Sequence, residues 1–330
     1  MTEREITAPA AIALPDGSLA RDAVGWTRRP LHRCNLPGAN GRRKRWEYWC
    51  VATRERLVSV TLADLDYIGL AAISFVDGAR FVDAWHVRPL GLGVAMGDEP
   101  RTRDVEVHGR GFAVAIRERP EATHVEGTWR PRSGEGLRVE LTVDRADVDS
   151  LGVLVPWSAR RYQYTCKQLA LPARGVVREG AREHVLDAAG GAFATLDYGR
   201  GMWPRRTTWN WACGAGQRDG VRFGFNLGAR WTDASPVTEN AFVHDGRLHK
   251  IGARVRFDLE AGTVRSIGGD QVDLRLAPSA QRTVGADAWP LGARLRWACG
   301  VFRGTLRADD GTCLVVDEAC GWAEDLRARW

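Results

Sequence analysis

The side chains best able to do chemistry concentrate between Asp197 and Gly246. This stretch reads DYGRGMWPRRTTWNWACGAG, then an alternating apolar segment, then TENAFVHDG. Burial raises the pKa of a carboxyl group because it disfavours the charged form. A carboxylic acid in an aromatic-lined pocket can therefore protonate an alkene or a leaving group, and the neighbouring π faces stabilise the resulting cation.

Three residues of this stretch are candidates for catalysis. Asp197 is the candidate proton donor, Tyr198 a second proton carrier, and Glu239 an acid, a base or a polar anchor. The candidates for ligand binding are the indoles and amides nearby: Trp203, Trp209, Asn210, Trp211, Asn240 and Trp231. The alternative is structural, with Asp197 capping a turn, Glu239 hydrogen-bonded at the start of a strand and the tryptophans in the core.

Strand geometry relates these candidates to one another. Successive side chains of a strand point to opposite faces, so Trp209 and Trp211 share one face and Asn210 lies on the other. We expect the two indoles to face the interior of a barrel, with Asp197 and Glu239 at its rim or wall together with Tyr198.

The C-terminus carries a further acidic group, Asp317, Glu318, Glu324 and Asp325, beside Trp322. A carboxylate on the last strand could face a pocket. The segment AEDLRARW is instead interpreted as a short C-terminal helix, because acidic residues are favoured near a helix N-terminus.

The sequence lacks the signature motifs of several classes of protein. The sequence contains no P-loop, no GxSxG and no GxGxxG between a strand and a helix, which argues against nucleotide-dependent chemistry and a serine hydrolase. The seven cysteines form no CxxC pair and have no zinc-ligand spacing, which predicts reduced thiols and no metal. We expect no metal and no cofactor.

The composition indicates a globular cytoplasmic protein. The 330 residues are 44% hydrophobic, and no apolar run approaches the ~18 residues of a membrane helix, so no integral membrane segment is expected. The first residues do not resemble a signal peptide. The net charge is +6, with only three lysines, which is typical of a GC-rich bacterial genome. The cluster Arg42–Arg45 is interpreted as a solvated turn rather than a nucleic-acid contact.

The hydrophobic period is mostly two, which predicts an all-β fold. Asp-Gly or Ser-Gly turns separate the strand-like segments at positions 77–78, 133–134, 219–220, 245–246 and 310–311. Such regular short strands are typical of sandwiches and barrels. The Trp-rich segments RWEYWCVA (45–52) and TWNWACGAG (208–216) are each followed about thirty residues later by an Asp-Gly turn. We therefore predict a flexible arm at 1–22 and two β-barrel modules at 23–170 and 171–330.

The segments WNWACGAG, TENAFVHDG and ACGWAED resemble the bacterial family named domain of unknown function 2804, from Gly25 to Trp330. More distantly, the chain is similar to lipocalin-type two-barrel proteins that include carotenoid 1,2-hydratases and related cyclases. This wider resemblance implies two calycin-like barrels that share an interface, with a site for a hydrophobic ligand. It transfers no catalytic residue.

Together these features predict a protein that binds an apolar or amphipathic small molecule. Its catalytic form would be a cofactor-free lyase, hydratase or isomerase with a pocket carboxylate as proton donor. Two alternatives stay open: a carrier without turnover, and a carbohydrate-binding protein that stacks tryptophans on sugars. The sequence does not specify the ligand, the reaction or the oligomeric state.

Overall fold

A computed structural model describes residues 3–38, 41–91, 93–187, 190–288 and 291–329. Within these ranges all regular secondary structure is strand, apart from one turn of 3-10 helix at Arg21–Ala23. The strands up to residue 202 are β1 (Ala10–Ala11), β2 (Gly25–Thr27), β3 (His32–Arg33), β4 (Arg43–Ala52), β5 (Arg56–Asp64), β6 (Ile68–Asp77), β7 (Arg80–Pro89), β8 (Val105–Gly109), β9 (Phe112–Glu118), β10 (Ala122–Trp129), β11 (Leu137–Asp144), β12 (Leu151–Ser158), β13 (Arg161–Glu179), β14 (Arg182–Leu186) and β15 (Phe193–Met202).

The remaining strands follow after residue 205. They are β16 (Arg206–Arg218), β17 (Val221–Ala229), β18 (Ala241–His244), β19 (Arg247–Lys250), β20 (Val255–Asp258), β21 (Thr263–Ser266), β22 (Val272–Ala288), β23 (Leu291–Arg307) and β24 (Cys313–Arg329). The predicted all-β class is therefore confirmed.

Two large sheets form the two barrel modules. The first runs β7-β6-β5-β4-β15-β13-β11-β10-β9-β8 and nearly closes on itself, with β12, β14 and β2 attached. The second runs β19-β18-β17-β16-β24-β23-β22-β21-β20 as a half-barrel. Each sheet contains a four-strand meander that begins at a Trp-rich strand, β4 or β16. The two Trp-rich segments recognised in the sequence thus begin equivalent meanders.

Two of the predicted Asp-Gly dipeptides form the tight turns of hairpins, where both residues must adopt positive φ. Asp219 and Gly220 have φ of 51° and 80°, and Asp245 and Gly246 have φ of 50° and 75°. Turns with two positive φ values match the right-handed twist of the strands they join. These dipeptides fix the registers of β16 with β17 and of β18 with β19.

Apolar side chains form one core inside each sheet and a third between the sheets. The two internal cores contain residues such as Tyr164 and Phe225. The third combines Cys50 of the first sheet with Trp211 and Trp322 of the second. A strand such as β13 therefore has two buried faces, one toward its own core and one toward the other module.

Three expectations need correction. The segment AEDLRARW is strand rather than helix up to residue 329, where β24 pairs with both β16 and β23; Trp330 lies outside the described residues. The N-terminal arm is packed rather than loose, since Ile12 is fully buried and Leu19 nearly so. The predicted division at 170/171 falls inside β13, and β15 pairs in the first sheet. We propose a boundary between β15 and β16, because β16 belongs to the second sheet.

The basic cluster predicted as a solvated turn begins strand β4 instead. The Lys44 ammonium is buried, donates to the carbonyl oxygen of Leu65 at 2.8 Å and lies 4.3 Å from the ring centre of Tyr67. Arg45 forms an ion pair with Asp64. These contacts give the cluster a structural role. No helix in the described part of the chain is long and apolar enough to cross a membrane.

Candidate functional site

The candidate site lies where the outer faces of the two sheets meet. Strands β4, β13 and β15 form one side, and β16, β17 and β24 form the other. Alternation along each strand selects the side chains that enter this layer, because every second residue points away from its own barrel core. On β16 these residues include Trp209 and Trp211, which share a face as predicted. That face meets the first module, however, and not the barrel interior that we expected.

A buried ion pair is at the centre of the site. Lys167 on β13 lies directly opposite Asp197 on β15, and its Nζ is 2.9 Å from Asp197 Oδ1. Asp197 also accepts hydrogen bonds from Thr165 Oγ1 at 2.9 Å and from Trp46 Nε1 at 3.0 Å. The ammonium lies 4.1 Å from the ring centre of Trp211. Burial lowers the pKa of Lys167, but the neighbouring carboxylates outweigh burial and raise it overall. Lys167 is therefore charged.

Glu239 enters the same cluster from the segment just before β18. Its Oε2 is 3.5 Å from Lys167 Nζ and accepts from Asn226 Nδ2 at 3.3 Å, and its Oε1 accepts from Trp231 Nε1. Only 2% of Glu239 is exposed. Burial raises the pKa of this carboxyl, although Lys167 and the Trp231 hydrogen bond oppose the shift.

Glu324 supplies the third carboxyl group. It lies on β24 directly opposite Trp211, and its Oε1 accepts a hydrogen bond from Trp209 Nε1 at 2.7 Å. Burial raises its pKa from the ordinary 4.5 to about 7; the nearby Asp197 and Glu239 charges act in the same direction. Asp197 and Glu239 thus pair with Lys167, and their charges add to the effect of burial, which favours a proton on Glu324 near neutral pH.

Tryptophan rings surround this cluster in edge-to-face contact. The Trp203 ring lies 5.5 Å from Trp46, 5.1 Å from Trp157 and 5.8 Å from Trp209, and its Nε1 donates to Gln163 Oε1 at 2.6 Å. The ring of Trp157 also contacts that of Trp231 at 6.1 Å. Trp157, Trp209 and Trp231 are partly exposed, so they form the solvent side of the site.

Two glycines make room for these groups. A Cβ added at Gly228 would collide with the Glu239 carboxylate, and one added at Gly199 would collide with the Trp46 indole. Both glycines lie on strands whose outer faces pack into the site. A larger side chain at either position would displace a member of the cluster.

Three predicted site residues lie away from the cluster. Tyr198 points into the first barrel, where its hydroxyl donates to the Gly97 carbonyl oxygen at 2.8 Å. Asn210 points to the opposite face of β16 from Trp209 and Trp211. Asn240 links backbone segments, since its Oδ1 accepts from Gly228 N at 2.7 Å. These residues have structural contacts here, and the Tyr198 hydroxyl lies inside the first barrel rather than in this cluster.

The other predicted residues converge: Asp197, Glu239, Trp203, Trp209, Trp211 and Trp231. The sequence interpretation missed Lys167 and Glu324. The segment RYQYTCKQ contains a usable signal for Lys167, since a lysine that follows Gln163 and Thr165 on one face of a strand, with Tyr164 and Cys166 on the other, needs a buried counter-charge. The sequence pattern places Glu324 in a C-terminal helix. No group of three His, Cys, Asp or Glu residues in the described ranges has metal-binding geometry.

The arrangement has the parts needed for proton transfer. A carboxyl group with a pKa near the working pH is an efficient general acid. Glu324 has that pKa at the partly exposed edge of the cluster, whereas the oxygens of Asp197 are occupied by donors. Lys167 and the indole rings supply fixed charge and π faces beside it.

Fold and site together define a two-barrel β-protein with an ionisable cluster between its modules. The chain belongs to the family described as domain of unknown function (DUF2804), whose profile matches residues 3–330. No functionally curated protein matches the sequence.

Three of the solved structures that are similar to the chain have low sequence identity to it. A Nitrosomonas europaea protein provisionally named AttH is 12% identical, with a TM-score of 0.51 and coverage of 98% of each chain. Kievitone hydratase from Nectria haematococca is 9% identical, with a TM-score of 0.44 over 86% of this chain and 88% of that one. CghA is 11% identical, with a TM-score of 0.40 over 87% and 88%.

Proposed function

We propose that the protein binds an apolar or amphipathic small molecule between its two modules and catalyses proton transfer to it without a cofactor. The reaction class is hydration, elimination or isomerisation. The observation that carries this proposal is the position of the Glu324 carboxyl, which is partly exposed and hydrogen-bonded to Trp209 at the edge of the Trp-lined cluster. Burial raises the pKa of this carboxyl to about 7.

Each group has a defined part in the proposed reaction. Protonated Glu324 donates its proton to an alkene carbon, and the electron pair of the double bond forms the new C–H bond. The indole faces stabilise the carbocation. Water then adds to the cation and returns a proton to the Glu324 carboxylate, which completes a hydration; loss of a proton from a neighbouring carbon completes an isomerisation. Asp197 and Glu239 hold Lys167 in position.

Solvent deuterium tests the chemistry without knowledge of the substrate. A metabolite extract of the source organism is incubated in D₂O with the wild-type protein or with Glu324→Gln, and deuterium uptake is read by mass spectrometry. The wild type should label at least one metabolite and Glu324→Gln should not. Glu260→Gln, at a side chain that is 81% exposed, is the matched control. Labelling by Glu324→Gln equal to that by the wild type would contradict the role of Glu324.

Binding is tested separately with a neutral apolar probe, N-phenyl-1-naphthylamine. Bound probe should quench tryptophan fluorescence. Trp209→Ala should weaken probe binding because a partly exposed aromatic contact is lost. Probe binding and a co-purified ligand, without deuterium uptake by the wild type, would favour the carrier.

A further inference from the structure

The open end of the second barrel carries a concavity of about 610 Å³. It is formed by the first residues of β16, the last residues of β24 and the ends of β22 and β23. Four arginines line it: Arg206, Arg294, Arg327 and Arg329. Its volume is within the ~300–1,000 Å³ typical of small-molecule sites.

Strand register places these arginines on one face of the sheet. Arg206 lies directly opposite Arg329, and Arg327 lies directly opposite Arg294. Alternation puts them on the same side as Ala212, which belongs to the second barrel core. The four guanidinium groups therefore converge at the end of that barrel.

This convergence is electrostatically unfavourable in the protein alone. Like charges directly opposite one another destabilise an antiparallel pair. Among the residues that the structure describes, Arg206, Arg294 and Arg327 have no ion-pair or hydrogen-bond partner. The neighbouring acid on β24, Asp325, is already paired with Arg230 at 2.9 Å.

Another cross-strand arginine pair of the same sheet shows the contrast. Arg275 lies opposite Arg303 on β22 and β23. There Arg303 forms an ion pair with Glu318. Among the described residues, Arg206, Arg294 and Arg327 lack such a carboxylate, so an external anion would supply the missing charge.

We propose that this concavity binds the phosphate or carboxylate group of a small organic anion. Guanidinium groups match both oxyanions through paired N–H donors. The rest of the wall consists largely of small residues, including Gly285, Gly292 and Ala293. The site is separate from the Lys167 cluster and does not depend on its function.

Matched eight-carbon probes test the proposal by isothermal titration calorimetry. Octyl phosphate or octanoate should bind the wild type at least tenfold more tightly than octanol, and the better of the two identifies the preferred oxyanion. Arg294→Gln/Arg327→Gln should weaken that binding at least tenfold. Arg275→Gln/Arg303→Gln removes the same charge from the same sheet and should leave binding unchanged.

A thermal-unfolding measurement accompanies the titration. Without ligand, Arg294→Gln/Arg327→Gln should be no less stable than the wild type, because it removes like-charge repulsion. Octanol binding equal to that of both anions, or anion binding unchanged in this variant, would overturn the proposal. Binding of inorganic phosphate with neither octyl anion bound would also overturn it.

Discussion

Replacing Glu324 by Gln should remove a specific part of the pH dependence of stability. The pKa of Glu324 is about 7 in the folded protein against an ordinary 4.5. The folded state therefore holds this proton more tightly than the unfolded state, and the free energy of unfolding falls as pH rises from about 4.5 through 7. Each pH unit in that window is worth about 1.4 kcal/mol, so the full effect is about 3 kcal/mol.

The assay is urea denaturation followed by tryptophan fluorescence at pH 5, 6, 7 and 8. Between pH 5 and pH 8, the wild type should lose about 2–3 kcal/mol relative to Glu324→Gln, since glutamine stays neutral. Histidines titrate equally in both proteins and cancel in the difference. The surface variant Glu260→Gln should follow the wild type. A constant difference between wild type and Glu324→Gln across this pH range would refute the raised pKa.

Three further substitutions test the packing around the site by the same urea denaturation. Trp211→Ala should lower the free energy of unfolding by about 3–5 kcal/mol, because a buried ring between the modules is lost; a change below 1 kcal/mol would contradict this. Lys167→Met should cost about 3–5 kcal/mol by leaving buried carboxylates uncompensated, and adding Glu239→Gln should recover part of the loss; no recovery would argue against the pairing. Glu3→Gln should also lower the free energy of unfolding, because it removes the carboxylate 2.8 Å from the Lys250 ammonium. This loss of stability should be smaller at pH 10 than at pH 7, and equal losses at both pH values would disprove the pairing.

Local signals predicted the strands and their turns well. Asp-Gly dipeptides at 219–220 and 245–246 have one preferred hairpin geometry, and alternation within β16 placed Trp209 and Trp211 on a common face. These features depend on the backbone of adjacent residues, so they are written in the sequence. The recurrence of a Trp-rich strand before a meander likewise follows from local pattern.

The site depended on pairings that local pattern does not encode. Residues 323–330 favour helix by composition, since Ala, Glu, Leu and Arg have high helix propensity. Pairing of β24 with β16 on one edge and β23 on the other overrides that preference and places Glu324 beside Trp209. Lys167 meets Asp197 only through the register of β13 with β15, and meets Glu239 only because the outer faces of two barrels pack together. Tyr198 was misplaced because it neighbours Asp197 but points to the opposite face.

The most direct test of the central claim is the pKa of Glu324 itself. Carboxyl-labelled ¹³C-glutamate NMR, with the Glu324 resonance assigned by its loss in Glu324→Gln, would follow this group between pH 4 and pH 9. We expect a titration midpoint near 7, which keeps a large fraction of the carboxyl protonated at neutral pH. A midpoint near the ordinary 4.5 would leave Glu324 ionised and would contradict its role as proton donor.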